Sequence, residues 1–221
     1  EYTLLLLSQK LFRKESIKGI RGIAYLNDKD SSKIFKTPAR EPIKDLNALP
    51  FPAWHLFPSL KKYRNLRGAT YLPYLPIMTS RGCPYHCNWC TKCVHGKRFR
   101  KRSPENVLLE IKKNVEVFNA KEIAIMDDTF NLDIERAKKI CYLLKREKID
   151  VFLNLYSGLR ADHINKSLLN ALRMVGVNRI TMGVESGNQE VVNKVGKELD
   201  LEKVLKAVKL CKKYNLITDG Y

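Results

Sequence analysis

The sequence predicts an α/β fold in which parallel strands alternate with helices, from Ile77 to Tyr221. Two observations support this prediction. Short apolar runs typical of buried strands alternate with longer segments that have helical apolar spacing. Repeated units of this kind form parallel strands joined by right-handed crossovers. Periodicity does not separate a doubly wound sheet from a barrel, but in both folds ligands bind at the carboxyl ends of the strands.

The first 76 residues have a different pattern. The segment YTLLLLSQKLFR predicts a helix, and IRGIAYLND predicts a strand that runs into a turn at Asn27 and Asp28. The stretch 37–58 cannot form a regular element, because it contains the prolines Pro38, Pro42, Pro50, Pro52 and Pro58. We expect an ordered linker there, held by the aromatic side chains Phe51, Trp54 and Phe57.

From Ile77 onward, strands and helices are predicted in alternation. The predicted strands are PIMTS, EIAIMDD, DVFLNLYS, RITMGVES and ITDGY. The predicted helices are SPENVLLEIKKNVEVF, DIERAKKICYLLKREK, NKSLLNALRMVG and DLEKVLKAVKLCKKYN. Ser103 is the expected N-cap of the first helix, with Pro104 in its first turn, and Gly176 ends the third. The first four strands each lead into polar residues, which predicts an active site at one rim of the sheet.

Composition excludes several classes of protein. Apolar residues make up 44% of the chain, enough for a packed core and too many for a disordered protein. The longest apolar run, Leu4 to Leu7, is far shorter than the roughly 20 residues that span a bilayer. No secretory signal is visible. We therefore expect a reducing, cytoplasmic compartment and no disulfide framework.

The net charge of +18 favours polyanionic partners such as nucleic acid. A lysine-rich, solvated enzyme surface is the better explanation for most of this charge. One segment is different, because KCVHGKRFRKR (Lys92 to Arg102) places six Lys and Arg residues directly behind a group of cysteines. That segment has the composition of a phosphate-binding surface.

Four of the six cysteines fall between Cys83 and Cys93. Cys83, Cys87 and Cys90 have the spacing C-x3-C-x2-C. Zinc sites usually need a second, distant pair of ligands, although His86, Cys93 and His95 could complete a mononuclear site. Iron–sulfur clusters instead take several thiolates from one short loop. Three ligands to a four-iron cluster leave one iron open to bind another molecule.

This spacing, with the aromatic Trp89 just before the last cysteine, resembles the radical S-adenosylmethionine (SAM) superfamily. The segments SRGCPYHCNWC, RSPENVLLEI, EIAIMDDTF, SGLRAD and ITMGVESG are similar to its cobalamin-associated branch, which includes anaerobic porphyrin cyclases and hopanoid-type methylases. Residues 77–221 resemble the radical SAM core. Residues 1–76 resemble the end of a cobalamin-binding domain and the LPFPAW linker that follows it.

The resemblance implies an incomplete (βα)6 partial barrel of parallel strands, preceded by a truncated α/β tail and the Pro-rich linker. The chain departs from the family in three ways. It lacks the cobalamin-ligating D-x-H-x-x-G motif, it stops at the fifth barrel strand, and Cys93 is an additional cysteine. The first two departures indicate a fragment of a longer protein, with cobalamin bound by the full-length chain.

The resemblance also implies the cofactors and their contacts. A [4Fe–4S] cluster on the three cysteines would bind SAM and split it into methionine and a 5′-deoxyadenosyl radical. Each further expected cofactor contact follows a strand of the core. These contacts are Asp127, Asp128 and Thr129 for the SAM amino group, Ser157 and Arg160 for its carboxylate, Glu185 for the ribose, Ser186 beside Glu185, and Trp89 within the cysteine loop.

Alternative interpretations exist for several residues outside the three cysteines. Arg160 can pair with Asp162 instead of a ligand, and Glu185 can cap the turn at Gly187. Cys141 and Cys211 occupy apolar helix positions and are expected in the core.

Three functions are compatible with the sequence. The first is a cobalamin-linked radical SAM enzyme that methylates or cyclises a small or lipid-like molecule, with an electron donor such as flavodoxin or ferredoxin. The second is a radical SAM enzyme that modifies RNA, in line with the charge. The third, a zinc-binding nucleic-acid module without catalysis, fits the parallel strands poorly. The first is favoured because residues 1–76 resemble a cobalamin-domain tail.

Overall fold

The computed structural model describes residues 1–27, 30–60, 70–155 and 157–221. These residues form two compact units, Glu1–Ile43 and Lys44–Tyr221. None of the helices in the described segments is long and apolar enough to cross a membrane. The boundary expected at residues 76/77 from the resemblance remains a prediction about domain organisation.

The first unit contains one helix and one hairpin. The helix α1 (Tyr2–Phe12) agrees with the prediction, and so does the strand β1 (Ala24–Asn27). The sequence did not predict β2 (Asp30–Lys36), which pairs antiparallel with β1 and stacks Phe35 on Tyr25 with ring centroids 5.9 Å apart. The expected turn includes Asp28, which lies outside the described residues.

The second unit contains the predicted alternation of strands and helices. Its helices are α2 (Pro104–Phe118), α3 (Ile134–Arg146), α4 (Lys166–Met174), α5 (Gln189–Lys194) and α6 (Leu201–Lys213). Its strands are β3 (Tyr74–Ile77), β4 (Ser80–Arg81), β5 (Arg100–Lys101), β6 (Glu122–Ile125), β7 (Phe152–Asn154), β8 (Arg179–Met182) and β9 (Ile217–Gly220). The short α5 and β5 were not predicted.

Side-chain caps explain where four helices of the second unit begin. The Ser103 hydroxyl accepts a hydrogen bond from the backbone N–H of Asn106 at 3.1 Å, as expected for the N-cap of α2. Asp133, Asn165 and Asp200 cap α3, α4 and α6 in the same way. Each cap satisfies a backbone donor that the first turn of a helix leaves unpaired.

The strands form two parallel groups. The order β3-β6-β7 makes one sheet, and β8-β9 makes a second pair. One isolated parallel bridge, between Leu159 and Met182, connects the segment after β7 to β8. No closure into a barrel is found among the described strands. The parallel pairings confirm the mixed α/β fold, and the expected (βα)6 partial barrel stays a prediction.

The core lies between the parallel strands and the helices. Ile111 of α2, Ile123 of β6, Ile140 of α3 and Leu172 of α4 are completely buried in it. Cys141 and Cys211 are buried there too, as predicted. Burial raises the pKa of the Cys141 thiol to about 12 and that of Cys211 to about 11, so both stay protonated.

The Pro-rich linker is ordered, as the sequence predicts. It contains a single 3₁₀ turn, Trp54–Leu56, between residues 37 and 58. The rings of Trp54 and Phe57 lie 5.3 Å apart, and Trp54 packs against the core. The Phe51 ring lies 5.4 Å below the guanidinium of Arg102. Aromatic contacts therefore hold the linker in place.

The basic segment behind the cysteines is partly structural. Arg100 and Arg102 are buried, and Arg102 pairs with Glu110 of α2 while it donates to the Met78 carbonyl at 3.1 Å. Lys101 pairs with Asp133. These cations connect secondary-structure elements, so the segment is not a continuous phosphate-binding surface.

Truncation of Ile123 should be strongly destabilising. This side chain is fully buried at the centre of β6, between Leu75 of β3 and Leu153 of β7. We expect Ile123→Ala to lower the free energy of unfolding by about 2–5 kcal/mol in urea denaturation, because it leaves a cavity. Leu109→Ala is the control, since Leu109 is 57% exposed, and should change it by less than about 0.5 kcal/mol. Equal losses would contradict this placement of the core.

Candidate cofactor site

Asp127, at the end of β6, anchors the start of the cysteine loop, which we define as residues 82–99. Its carboxylate accepts hydrogen bonds from the Thr79 backbone N–H at 2.6 Å and from the hydroxyls of Thr79 and Ser80, each at 2.5 Å. Burial raises the pKa of Asp127 above its usual range, and these hydroxyls act in the opposite direction. Asp127 is not among the described residues that line the cavity beside the cysteines. It therefore supports the residues that lead into the cysteine loop and does not face the cavity itself.

The loop closes between β4 and β5, which pair antiparallel with Ser80 opposite Lys101. At its first residue, Gly82 has φ +87°, and its N–H donates to Asp128 Oδ2 at 2.7 Å. A Cβ atom on Gly82 would lie 2.3 Å from the carbonyl oxygen of Arg98. Only glycine fits this close approach of the two ends of the loop.

The middle of the cysteine loop docks on the segment after α5. Asn88 donates from its backbone N–H to the Val195 carbonyl at 3.0 Å and from its side-chain amide to the Lys194 carbonyl at 2.9 Å. A Cβ atom on Gly196 would lie 2.9 Å from the His86 carbonyl oxygen. The conformation of the loop therefore depends on residues far along the chain.

A cavity of about 400 Å³ opens at the carboxyl ends of the strands. It brings together Cys83, Cys87 and Cys90, all of them free thiols. Most of the other predicted contacts line the same cavity: Trp89, Asp128, Thr129, Ser157, Arg160 and Glu185. No three His, Cys, Asp or Glu side chains in the described segments are arranged to hold a single metal ion.

Thr129 approaches the first cysteine directly, and Asp128 binds other residues of the cysteine loop. The Thr129 hydroxyl lies 3.6 Å from the Cys83 sulfur and 2.7 Å from the Asp128 carbonyl oxygen. Asp128 Oδ2 lies 3.1 Å from Nδ1 of His95, a residue that the sequence offered only as a possible zinc ligand. The carboxylate therefore connects both ends of the loop to the cavity wall.

Glu185 has a partner that sequence reasoning missed. Its Oε1 forms an ion pair with the ammonium of Lys197, whose side chain is only 12% exposed. Glu185 has φ +70°, and its backbone N–H donates to the Tyr221 carbonyl at 2.9 Å. Both side chains line the cavity, and the Lys197 ammonium lies 5.9 Å from the centre of the Trp89 ring. Lys197 follows the short helix α5. Because α5 has no clear signal in the sequence, sequence reasoning did not place Lys197 at the site.

Two other expected contacts, Ser186 and Ser157, hydrogen-bond to other groups of the protein. The Ser186 hydroxyl accepts the backbone N–H of Asn188 at 3.1 Å, just before α5, and Ser186 is absent from the described cavity lining. The Ser157 carbonyl accepts the hydroxyl of Tyr221 at 3.0 Å.

The Arg160 guanidinium is hydrogen-bonded to one carboxylate and two backbone carbonyls of the protein. Its guanidinium forms two hydrogen bonds with Asp162, at 2.9 and 2.8 Å, and donates to the carbonyls of Lys197 and Glu198 at 3.1 and 2.7 Å. Burial alone would lower the pKa of Arg160, but the Asp162 carboxylate outweighs burial and raises it. This geometry agrees with the alternative interpretation, in which Arg160 pairs with Asp162.

Replacement of Gly82 should disrupt the cysteine loop. We expect Gly82→Ala to lower the free energy of unfolding by about 1–3 kcal/mol, because the methyl group meets the Arg98 carbonyl and the positive φ strains any other residue. Gly187→Ala is a matched control, since a Cβ there meets no atom within 4 Å. Urea denaturation of both variants measures the difference. Equal stability would mean that the two ends of the loop are not this close.

Comparison with known proteins supports the resemblance. The chain is 32% identical over 217 residues to a protein of Pyrococcus horikoshii named as an uncharacterized methyltransferase, covering 98% of this chain and 45% of that protein. It is 24% identical over 205 residues to the anaerobic magnesium-protoporphyrin IX monomethyl ester cyclase of Rubrivivax gelatinosus, covering 91% and 35%. The chain thus spans less than half the length of these relatives.

The fold also matches a solved structure. The cobalamin-dependent S-adenosylmethionine radical enzyme OxsB, with aqua-cobalamin and S-adenosylmethionine bound, superimposes with a TM-score of 0.78 at 22% identity, covering 100% of this chain and 32% of that one. At this identity the likeness concerns the fold. The sequence model of the radical SAM superfamily matches residues 77–221. Since this match covers well over half of the chain, the chain belongs to the radical SAM superfamily.

Proposed function

We propose that this chain holds a [4Fe–4S] cluster on Cys83, Cys87 and Cys90 and binds SAM beside it. The observation that carries the proposal is the single cavity that these three thiols share with polar residues from the ends of successive strands. Three thiols from one short loop are the donor set of such clusters. A volume of about 400 Å³ lies within the range of small-molecule and cofactor sites.

Once bound, the cluster and SAM supply the one-electron chemistry that produces a carbon radical. The residues of this chain bind and orient them. Thr129 lies close enough to the Cys83 sulfur to donate a hydrogen bond to a thiolate there. Asp128 presents a carboxylate for the SAM amino group, and Glu185 presents one for the ribose hydroxyls.

Lys197, and not Arg160, supplies the cation for the SAM carboxylate in this proposal. The Arg160 guanidinium is already committed to Asp162 and two carbonyls. Lys197 lines the cavity, and its ammonium has Glu185 as a partner. A compact ammonium on a flexible stem can shift from this carboxylate to that of a ligand. Asp127 and Ser186 are not among the described residues that line the cavity, and this proposal gives them no direct contact with SAM.

For the full-length protein we propose a cobalamin-linked reaction, either methyl transfer or ring formation, on a small or lipid-like molecule. The named methyltransferase and cyclase relatives and the cobalamin-bound OxsB support this choice. We further propose that residues 77–221 contribute to a partial (βα)6 barrel and that residues 1–76 belong to a cobalamin-binding domain and its linker. A cytoplasmic location with flavodoxin or ferredoxin as electron donor suits an oxygen-sensitive cluster.

Cluster assembly should require Cys87 but not Cys93. Anaerobic reconstitution of the protein with iron and sulfide should give a brown protein with about four irons and four acid-labile sulfides per chain. We expect Cys87→Ala to lose most of this iron and Cys93→Ala to keep it, because three thiolates complete the proposed site. Stoichiometric zinc without labile sulfide would contradict the cluster. Equal loss in both variants would indicate a four-thiolate site with no open iron.

Removal of the Glu185 charge should weaken SAM binding. We expect Glu185→Gln to reduce SAM affinity about tenfold to a hundredfold in calorimetric titration of the reconstituted protein, because a charged hydrogen-bond acceptor is lost. Cluster content should stay unchanged. Glu190→Gln is the control, since Glu190 lies in the first turn of α5 and outside the described cavity lining. Unchanged affinity in a stable Glu185→Gln protein would remove Glu185 from the site.

A further inference from the structure

Tyr85 lies inside the cysteine loop, between Cys83 and Cys87, and lines the cavity. The central carbon of the Arg160 guanidinium lies 3.4 Å from the centre of the Tyr85 ring. This is close stacking of a cation on an aromatic face. The phenol oxygen of Tyr85 lies 3.0 Å from Nε2 of His163, in the 3₁₀ turn Ala161–His163. Tyr85 is thus held at its ring face and at its hydroxyl.

The Arg160 guanidinium, on which the Tyr85 ring stacks, is held rigidly. Arg160 is 8% exposed, and its hydrogen-bond partners among the described residues, namely the Asp162 carboxylate and the carbonyls of Lys197 and Glu198, hold the guanidinium in one plane. Its backbone is fixed as well, because Asn131 accepts from the Arg160 N–H at 3.0 Å and donates to its carbonyl at 2.8 Å. A planar cation with so little freedom can set the position of whatever stacks on it.

The rest of the cysteine loop has few comparable contacts on this side. Cys90, Thr91 and Cys93 are exposed, and so are Lys97 and Arg98 further along. The Cys90 N–H bonds only within the loop, to the Cys87 carbonyl at 3.1 Å. The stack on Arg160 therefore secures the part of the loop that separates the first two cluster cysteines.

We propose that Tyr85 is a positioning residue, and that its stack on Arg160 holds the cysteine loop in the shape that receives the cluster before the cluster binds. The identity of the cluster rests on the proposed function above, whereas the preformed loop does not. The same guanidinium binds the carbonyl of Lys197, the proposed SAM cation. Through the guanidinium of Arg160, the stack therefore links the cysteine loop to the segment that carries Lys197.

The experiment uses the metal-free protein with reduced thiols. Trypsin cleavage after the exposed Lys97 and Arg98 reports local opening of the loop, because cleavage follows the population of the open form when reclosing is fast. We expect Tyr85→Leu to raise the cleavage rate there about 2-fold to 30-fold, the range for loss of a cation–aromatic stack. Tyr85→Phe keeps the ring face and should cleave at nearly the wild-type rate.

Tyr142→Leu is the matched control, since Tyr142 is 47% exposed on α3. It should leave cleavage of the loop unchanged. Urea denaturation of the same samples should show the same global stability for Tyr85→Leu and wild type. If Tyr85→Leu instead lowers global stability enough to account for its faster cleavage, the proposal of a local role is overturned.

Two further outcomes would also overturn it. A wild-type cleavage rate in Tyr85→Leu would show that the stack does not hold the loop. Equal acceleration in Tyr85→Phe and Tyr85→Leu would assign the effect to the bond with His163. After reconstitution, Tyr85→Leu should retain less iron than Tyr85→Phe when challenged with a chelator. If wild type itself assembles no cluster, the proposed function fails, while the cleavage rates still decide the role of Tyr85.

Discussion

The buried carboxylate of Asp127 is the constraint on which the rest of the site depends. It lies at the end of β6, and its three hydrogen bonds fix Thr79 and Ser80, the residues that lead into the cysteine loop. Arg136 binds the Thr79 carbonyl from α3 at 2.6 Å. An uncompensated carboxylate at this depth would be costly, so the hydroxyls and the nearby guanidinium are needed together. The loop therefore begins from a position that the core determines.

From that start, backbone and side-chain contacts together shape the loop. The two ends meet at Gly82 and Arg98, and the backbone and side chain of Asn88 donate to the carbonyls of Val195 and Lys194. Tyr85 adds an aromatic contact on the fixed guanidinium of Arg160. This arrangement leaves the cysteine sulfurs facing the cavity while the backbone around them is held from several directions.

The sequence predicted those structural features that depend on residues close together in the chain. The cap at Ser103 and the buried run of β6 depend on neighbouring residues, and both are found in the expected places. The three closely spaced cysteines line one cavity. The pairing of β4 with β5 could not be predicted, because two-residue strands carry no periodic pattern. The six-residue helix α5 was missed for the same reason.

The same limit applies to individual site residues. The sequence places Asp127 and Asp128 together at a strand end, but successive residues leave a strand on opposite sides. Only the structure shows that Asp127 turns into the core while Asp128 reaches the cavity. Asp162 could be named in advance as a partner of Arg160, because it lies two residues away. The Lys197 and Glu198 carbonyls, 37 and 38 residues distant, could not.

The docking of Asn88 on the segment after α5 has a consequence for transferring this site between proteins. The two partners of that contact are separated by 106 positions in the chain. A short peptide that carries the four cysteines of the loop, or the same motif grafted into another scaffold, brings none of the carbonyls that shape residues 86–88. The cysteine motif therefore does not keep its conformation when it is transferred to another protein by itself. For the same reason, an exchange of the α5–α6 connection between related proteins also alters the loop that carries the cysteines.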